Sequence, residues 1–406
     1  MTIHRDFFQV VECDACGMVQ TVPLEGDGLF CCCRCATFLG RFGGRLDLDR
    51  PLALAVAGLI CFVLANSFPI ISMSMSGNSR SVTLLGGVIE LFLGGYELLS
   101  GLVLWTTIWA PLLFLIGFVY VLLPMRLDWA WPGRKRIFRL VLFFSRWGML
   151  EVYLLGILVA YVKLADLALV APGLGLYGFV GLIFVVAGVM AVLDVHGVWK
   201  RLGGQEKKLN DGASMCSCLV CHWLGNPSSV PGSPHCPRCG SVLTHRKPNT
   251  LQRSMALTLT AFILYIPANL LPVMTVIHFG RGEPNTILSG VIALIKEGMW
   301  PLALVVFVAS IVVPLLKLIA LTFLLVSVRI KSRWRLKDRT LLYRIIESVG
   351  RWSMVDIFVI SLMVALVDFG AVATIEAGPG ATFFGAVVVI TLLAAESFDP
   401  RLIWDS

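Results

Sequence analysis

The chain has 406 residues, of which 57% are hydrophobic and only 14% are charged, and its formal net charge is +8. Average soluble domains carry about 25% charged residues, so this composition excludes an ordinary soluble protein and favours a polytopic membrane protein. The basic excess does not indicate a nucleic-acid partner, because it lies almost entirely in segments between apolar stretches.

Eight apolar stretches are each long enough to cross about 30 Å of hydrocarbon as a helix. They cover approximately residues 51–73, 99–123, 148–170, 175–198, 254–277, 301–328, 350–374 and 379–398. The predicted fold class is therefore an all-α polytopic membrane protein with eight spanning helices.

The distribution of basic residues predicts the orientation of these helices. Most of the 33 Lys and Arg residues lie in the N-terminal region, the 124–146 and 329–351 loops and the 199–253 segment. These regions share one side of the membrane if all eight helices span. The positive-inside rule then places both termini and the long middle segment in the cytoplasm.

The sequence repeats itself with an offset of about 203 to 205 residues. "ANSFPI" at 65–70 matches "ANLLPV" at 268–273, and "RWGMLEVY" at 146–153 matches "RWSMVDIF" at 351–358. Because each copy has four helices, the two transmembrane blocks share one orientation. The predicted domains are a cysteine domain at 1–48, a first block at 49–200, a second cysteine domain at 210–248 and a second block at 249–400.

Each cysteine domain carries two C-x-x-C pairs at the spacing of a zinc ribbon, which is a small β domain. The predicted ligands are Cys13, Cys16, Cys32 and Cys35 in the first ribbon and Cys218, Cys221, Cys236 and Cys239 in the second. Four thiolates close a tetrahedral site, so we expect one structural Zn²⁺ per ribbon. Redox-active pairs and a rubredoxin-like iron site are the alternatives.

The register of the first ribbon is open at this level, because "CCCRC" at 31–35 holds more cysteines than one site needs. Cys31 with Cys33 would form a poorer turn than Cys32 with Cys35. The latter pair is the predicted one.

Lys317 lies in the middle of "VVPLLKLIALTFLL" at 312–325. A charge at the centre of a spanning helix costs at least about 2.5 to 3.5 kcal/mol on insertion scales, so it usually marks a functional site. The equivalent residue of the first block is Phe114, whereas Asp356 aligns with Glu151. Only the second block therefore has both members of a Lys–Asp pair.

Further polar residues could complete a cluster around that pair. Ser310, Ser353 and Thr391 lie in the same block, and Ser353 is three residues before Asp356 on the same helix face. Lys163 and Asp166 form an i, i+3 pair at the far end of the third helix. The alternative is that the stem of Lys317 packs among apolar side chains while its ammonium reaches the membrane interface. Asp356 and Glu151 would then only form ion pairs with arginines of the nearby loops.

Motifs of membrane enzymes and ATP-driven pumps are absent from the sequence. It contains no G-x-x-x-x-G-K-[ST], no H-E-x-x-H and no G-x-S-x-G. We therefore predict that the protein is not an enzyme. An ionisable cluster in the membrane suits facilitated or proton-coupled movement of an apolar solute. A metal- or redox-responsive membrane regulator and a passive membrane platform are the competing interpretations.

Taken together, the two cysteine ribbons, "ANSFP" and "ANLLP", and the two Arg-Trp motifs resemble the paraquat-inducible protein A family, and "SFDPRLIWD" at 397–405 fits it too. The resemblance implies a Gram-negative inner-membrane protein with cytoplasmic zinc ribbons. It also implies lipid transport to or from the outer membrane with a periplasmic MCE-domain tunnel protein as partner.

The resemblance further implies that the second block carries a polar network important for transport. The matching positions are Ser310, Lys317, Ser353, Asp356 and Thr391, with Lys163 and Asp166 contributed by the first block.

Overall fold

The structure is a computed structural model, and it is mostly helical. The residues that it describes are 8–23, 28–42, 47–75, 78–129, 131–165, 169–203, 216–225, 235–278, 281–296, 298–367 and 373–405.

The first ribbon consists of two β-hairpins. Its strands are β1 (Phe8–Glu12), β2 (Val19–Pro23), β3 (Gly28–Cys31) and β4 (Phe38–Phe42), with β1 antiparallel to β2 and β3 antiparallel to β4.

The first block follows the first ribbon and mixes long helices with short strands. Its elements are α1 (Asp49–Ser67), β5 (Ile71–Met75), β6 (Asn78–Val82), α2 (Leu84–Leu93), α3 (Glu97–Leu104), α4 (Ala110–Arg126), α5 (Arg134–Trp147), α6 (Leu150–Ala165), β7 (Leu169–Pro172), α7 (Leu174–Val192) and α8 (Val195–Gly203). Asp49 and Pro51 lie in the first turn of α1, where an acidic side chain and a residue without an N–H are both favourable.

The second ribbon and second block repeat this order. Their elements are β8 (Cys216–Ser217), β9 (Leu224–Gly225), α9 (Thr250–Leu270), β10 (Met274–His278), β11 (Arg281–Asn285), α10 (Ile287–Lys296), α11 (Trp300–Phe307), α12 (Val313–Arg329), α13 (Leu336–Gly350), α14 (Val355–Leu366), β12 (Ala373–Ala377) and α15 (Pro379–Ser397). A 3₁₀ turn (Pro400–Ile403) follows α15. The internal duplication is therefore confirmed in the order of the elements, although two strands of the second ribbon are described against four of the first.

A π-helical turn precedes the second long helix of each block. It spans Trp105–Trp109 in the first and Val308–Val312 in the second, and a proline follows at the second residue of α4 and of α12. Pro314 has no N–H to donate to the carbonyl of Ser310, so the regular hydrogen-bond ladder is interrupted there. The turn places Ser310 directly before the helix that carries Lys317.

Seven helical segments in the described part of the chain are long and apolar enough to cross a membrane. They are Asp49–Ser67, Glu97–Arg126, Arg134–Val162, Leu174–Val192, Ala303–Arg329, Leu336–Leu366 and Pro379–Ser397. The eighth predicted span corresponds to α9, which has 21 residues but contains Arg253, Pro267 and Asn269. The protein is thus a multi-pass membrane protein.

Two small antiparallel sheets are present at positions where the sequence predicted the ends of helices. Their strand orders are β6-β5-β7 and β11-β10-β12. In β5 the buried Ile71 and Met73 alternate with Ser72 and Ser74, which is the two-residue period of a strand. The helices end at Ser67 and Leu270, earlier than the predictions of 73 and 277, because these strands continue the apolar runs.

Two basic segments that the sequence assigned to loops form amphipathic helices. In α5, Phe138 and Val141 are buried while Arg136 and Arg146 are exposed, and α13 occupies the same position in the second block. These helices pack on α4 and α12 respectively.

The first and last long helices of each block approach closely at glycines. A Cβ on Gly173 would collide with the carbonyl oxygen of Pro69, and a Cβ on Gly378 would collide with that of Pro272. The backbone N–H of Gly378 donates to the carbonyl of Val273 at 2.7 Å. These contacts fix how α15 packs against α9, and hence the depth at which α15 presents Thr391.

Candidate functional site

The four predicted ligands of the first ribbon lie together in the structure. The sulfur of Cys13 is 3.5 Å from that of Cys35, and the sulfur of Cys16 is 3.5 Å from that of Cys32. All four sulfurs lie within 4.8 Å of one another. This donor set fits a tetrahedral metal ion held by thiolates.

Two tight turns create this geometry. The Cys13 carbonyl accepts from the Gly17 N–H at 2.8 Å, and the Cys32 carbonyl accepts from the Ala36 N–H at 2.9 Å. Gly17 and Ala36 both adopt a positive φ, which lets the chain turn back after each C-x-x-C pair.

The second ribbon has the same arrangement. The sulfur of Cys218 is 3.5 Å from that of Cys239, and the sulfur of Cys221 is 3.5 Å from that of Cys236. These four sulfurs also lie within 4.8 Å of one another, and all four residues are buried. The protein therefore carries two four-cysteine metal-binding sites.

The structure assigns the register of the first ribbon. Cys31 and Cys33 are exposed and lie outside the cluster of sulfurs. Interaction with the Cys16 thiol, opposed by burial, lowers the pKa of Cys13 to about 5. A lowered pKa favours the thiolate, which is the form that binds metal.

The two ribbons contact each other beside their metal sites. Nδ1 of His222 lies 3.2 Å from Oδ1 of Asp14. Burial lowers the pKa of His222, but the Asp14 carboxylate outweighs it and leaves that pKa above its ordinary value. Burial likewise raises the pKa of Asp14, but His222 and Arg401 leave it below its ordinary value. The pair therefore favours its charged form.

The C-terminal segment connects the first ribbon to the second block. Nη1 of Arg401 donates to Oε1 of Glu12 at 2.8 Å, and both side chains are buried. Nε1 of Trp404 donates to Oγ1 of Thr340 in α13 at 3.0 Å, while the guanidinium of Arg34 stacks over its ring at 4.3 Å. Sequence reasoning missed this connection; a charged and aromatic run after the last apolar helix was its only signal.

Lys317 is buried inside the second block. Only 4% of the residue is exposed, and Nζ donates to Oγ1 of Thr391 on α15 at 3.1 Å. Thr391 in turn donates to the carbonyl of Val388 at 2.9 Å. Gly350 lies against the lysine, since a Cβ at that position would be 2.8 Å from Nζ.

The other predicted members lie around this contact without joining it directly. Ser310 is fully buried and donates to the carbonyl of Val306 at 2.6 Å. Ser353 is 2% exposed, and its hydroxyl has no hydrogen-bond partner among the described residues. Asp356 lies in the first turn of α14, half-buried. Within the described part of the chain, no ion pair joins Lys317 to a carboxylate, so the structure brings together Lys317 and Thr391 but not Lys317 and Asp356.

The first-block members of the predicted network are not described. Lys163 falls within α6, but its side chain and the whole of Asp166 lie outside the described residues. Their participation stays a prediction.

Comparison with known proteins gives consistent matches along the chain. The family model described as Paraquat-inducible protein A matches residues 48–203 and again 251–406. The Lipophilic envelope-spanning tunnel protein A of Escherichia coli (strain K12) is 32% identical over 395 residues, covering 97% of this chain and 91% of that protein. The Intermembrane transport protein PqiA of the same strain is 34% identical over 423 residues, covering 100% and 98%.

A protein of a second organism gives a similar match. The Probable intermembrane transport protein of Haemophilus influenzae is 30% identical over 398 residues, covering 97% of this chain and 94% of that protein. No solved structure matches the chain significantly.

Proposed function

Because the chain belongs to the family described as Paraquat-inducible protein A, we propose that it is the inner-membrane component of a system that moves lipids between the inner and outer membranes. Relatives that align over nearly its whole length are named as intermembrane transport and envelope-spanning tunnel proteins. The single observation that carries the proposal to this chain is the buried contact between Lys317 and Thr391 in only one of two duplicated blocks.

The proposed topology has eight spans, with α9 as the fifth. In the fold, α9 packs on α15 as α1 packs on α7, so it occupies the place of a spanning helix. Both termini and both ribbons then lie on the basic, cytoplasmic side, and each ribbon holds a structural Zn²⁺ without taking part in catalysis.

The two small sheets then face the periplasm. They are the parts of the two blocks farthest along the chain from the basic segments, so we propose them as the side on which the MCE-domain tunnel partner docks. Lipid would leave or enter the block on this side.

Lys317 is the proposed point of contact with the cargo. The hydroxyl of Thr391 is its polar partner, and a hydroxyl does not hold a lysine in its charged form as a carboxylate would. An ammonium that gains and loses its proton as lipid passes would couple transport to proton movement. Ser353, buried and without a hydrogen-bond partner in the described residues, offers a second hydroxyl in this part of the block.

The test is replacement of Lys317 by alanine, and separately of Thr391 by valine, in cells whose envelope depends on this protein. We expect loss of function at normal protein level in the first and a weaker defect in the second. Thr258→Val is the matched control, because the Thr258 hydroxyl donates within its own helix, to the carbonyl of Ser254. If the Lys317 variant functions normally while cysteine substitutions change a transcriptional or redox response, the protein is a regulator and the proposal is wrong.

A further inference from the structure

The first block contains a hollow of about 190 Å³. Among its lining residues are Pro111, Phe114, Glu151, Val186, Ala187 and Arg351. Most of these side chains are apolar, and Arg351 is contributed by the second block.

The hollow is the first-block counterpart of the Lys317 cluster. Both α7 and α15 have 19 residues and begin after a glycine, so Val186 is equivalent to Thr391. Phe114 is equivalent to Lys317, and Glu151 to Asp356. In the second block these positions hold a lysine and its hydroxyl partner. In the first block the apolar Phe114 and Val186 stand there instead and line the hollow.

The two charges at the hollow follow from a second asymmetry between the blocks. Arg146 and Arg351 are equivalent, and Arg146 lies 3.7 Å from the carboxylate of Glu396 on α15. The residue of α7 equivalent to Glu396 is Ala191. The position on α7 equivalent to Glu396 therefore offers no carboxylate to Arg351. Arg351 lines the hollow instead, and Glu151 lines it as well.

The position along α7 defines the depth of the hollow. Its lining residues on α7 run from Ile183 to Met190, and the helix ends at Val192. At 1.5 Å per residue the hollow thus covers about 3 to 14 Å from the helix end. The 19 residues of α7 span about 28 Å, close to the thickness of the hydrocarbon core, so this depth lies among the acyl chains of one leaflet, with the headgroups just beyond its outer end.

We propose that this hollow binds one phospholipid with a zwitterionic phosphate–ammonium headgroup. Arg351 contacts the phosphate, Glu151 contacts the ammonium, and part of one acyl chain enters the space between Phe114 and Ala187. An apolar cavity of about 150 Å³ can hold a benzene ring, so 190 Å³ accepts part of a chain and not a whole lipid. A phosphatidylglycerol headgroup would satisfy Arg351 with its phosphate but would offer Glu151 a neutral glycerol in place of the ammonium. This inference rests on the proposed function, because it names the lipid class that the membrane domain takes up.

Binding is measured on the full-length protein in detergent, by native mass spectrometry with dioleoylphosphatidylethanolamine and, separately, dioleoylphosphatidylglycerol. We expect the wild-type protein to retain the ethanolamine lipid about tenfold more tightly. Ala187→Phe fills the hollow and should abolish retention. Leu174→Phe adds bulk at an exposed position of the same helix, far from the lining residues, and should not.

Charge variants test the headgroup assignment. Arg351→Gln should weaken retention of both lipids, whereas Arg146→Gln, which alters the equivalent arginine outside the hollow, should not. Glu151→Gln should remove the preference for the ethanolamine lipid. Equal retention by the Ala187→Phe variant and the wild-type protein, or an unchanged preference in Glu151→Gln, would overturn the inference.

These outcomes are separable from the fate of the proposed function. The binding assay needs neither a partner nor transport, so its failure leaves the Lys317 result in cells unaffected. Conversely, a functional Lys317→Ala protein would overturn the proposed function and leave binding in the hollow to be decided by mass spectrometry.

Discussion

Replacing Lys317 by methionine removes the ammonium and keeps the length of the side chain. The change relieves the cost of a charge in the bilayer centre, about 2.5 to 3.5 kcal/mol. It also removes the hydrogen bond from Nζ to Thr391, which is 3.1 Å long, and hydrogen bonds to charged groups contribute about 1.5 to 3 kcal/mol. The difference predicts a variant as stable as the wild-type protein or more stable by up to about 2 kcal/mol.

The prediction is therefore a stable protein that does not transport lipid. Thermal unfolding of the detergent-purified variant measures the first part, and a lipid transport assay in cells at matched protein level measures the second. Thr258→Val serves as the control, since it removes a buried hydroxyl that donates to the carbonyl of Ser254 within its own helix. A variant that unfolds well below the wild-type temperature would show that the lysine is structural, and normal transport would refute its role in handling cargo.

Gly378→Ala should destabilise the protein by about 1 to 3 kcal/mol in thermal unfolding, because its Cβ would meet the Pro272 carbonyl, whereas Gly290→Ala, with open space around it, should not. Arg401→Met should lower the free energy of unfolding by about 3 to 5 kcal/mol, because it leaves the Glu12 carboxylate without its ion-pair partner. Faster proteolysis of the first ribbon would show this loss, and an unchanged digestion pattern would contradict it. Cys236→Ser should lower the zinc content from about two to about one per chain by elemental analysis, and an unchanged content would show that the sulfur is not a ligand.

The cysteine sites were predictable from spacing alone. A C-x-x-C pair followed by a second pair about 15 residues later can only place four sulfurs together through two tight turns, and the structure shows both turns at Gly17 and Ala36. Turn geometry also favoured Cys32 and Cys35 over Cys31 and Cys33. The structure agrees with this choice, because the two unused cysteines are exposed.

The small sheets were not predictable from hydropathy, because their strands continue the apolar runs of the helices before them. In β5 the alternation of Ile71 and Met73 with serines lasts only five residues, too short to separate from an adjoining helix by averaging over a long window. The helix α5 was missed for the opposite reason. Its arginines suggested a loop, and its buried face depends on only Phe138 and Val141.

The Lys317 cluster was predictable in part. A single lysine in an apolar helix is recognisable in the sequence as a candidate site. Comparison of the two repeats shows that only the second block contains it. Depth and sequence spacing do not define how two helices are rotated, however, so the partner of Lys317 could not be read from the sequence. The packing of α12 against α15 brings Thr391 to Lys317, and among the described residues no ion pair joins Lys317 to a carboxylate.

Lipid contact in the second block is tested most directly by a photoreactive amino acid at Leu392, which neighbours Thr391 and packs near Gly350. After illumination of living cells, we predict a covalent phospholipid adduct at this interior position that disappears when Lys317 is replaced by methionine. Phe184, which is 73% exposed on the outer face of α7, is the positive control for contact with bulk lipid. An adduct at Phe184 without one at Leu392, or an adduct at Leu392 that is unaffected by the loss of Lys317, would contradict a lipid-handling role for this site.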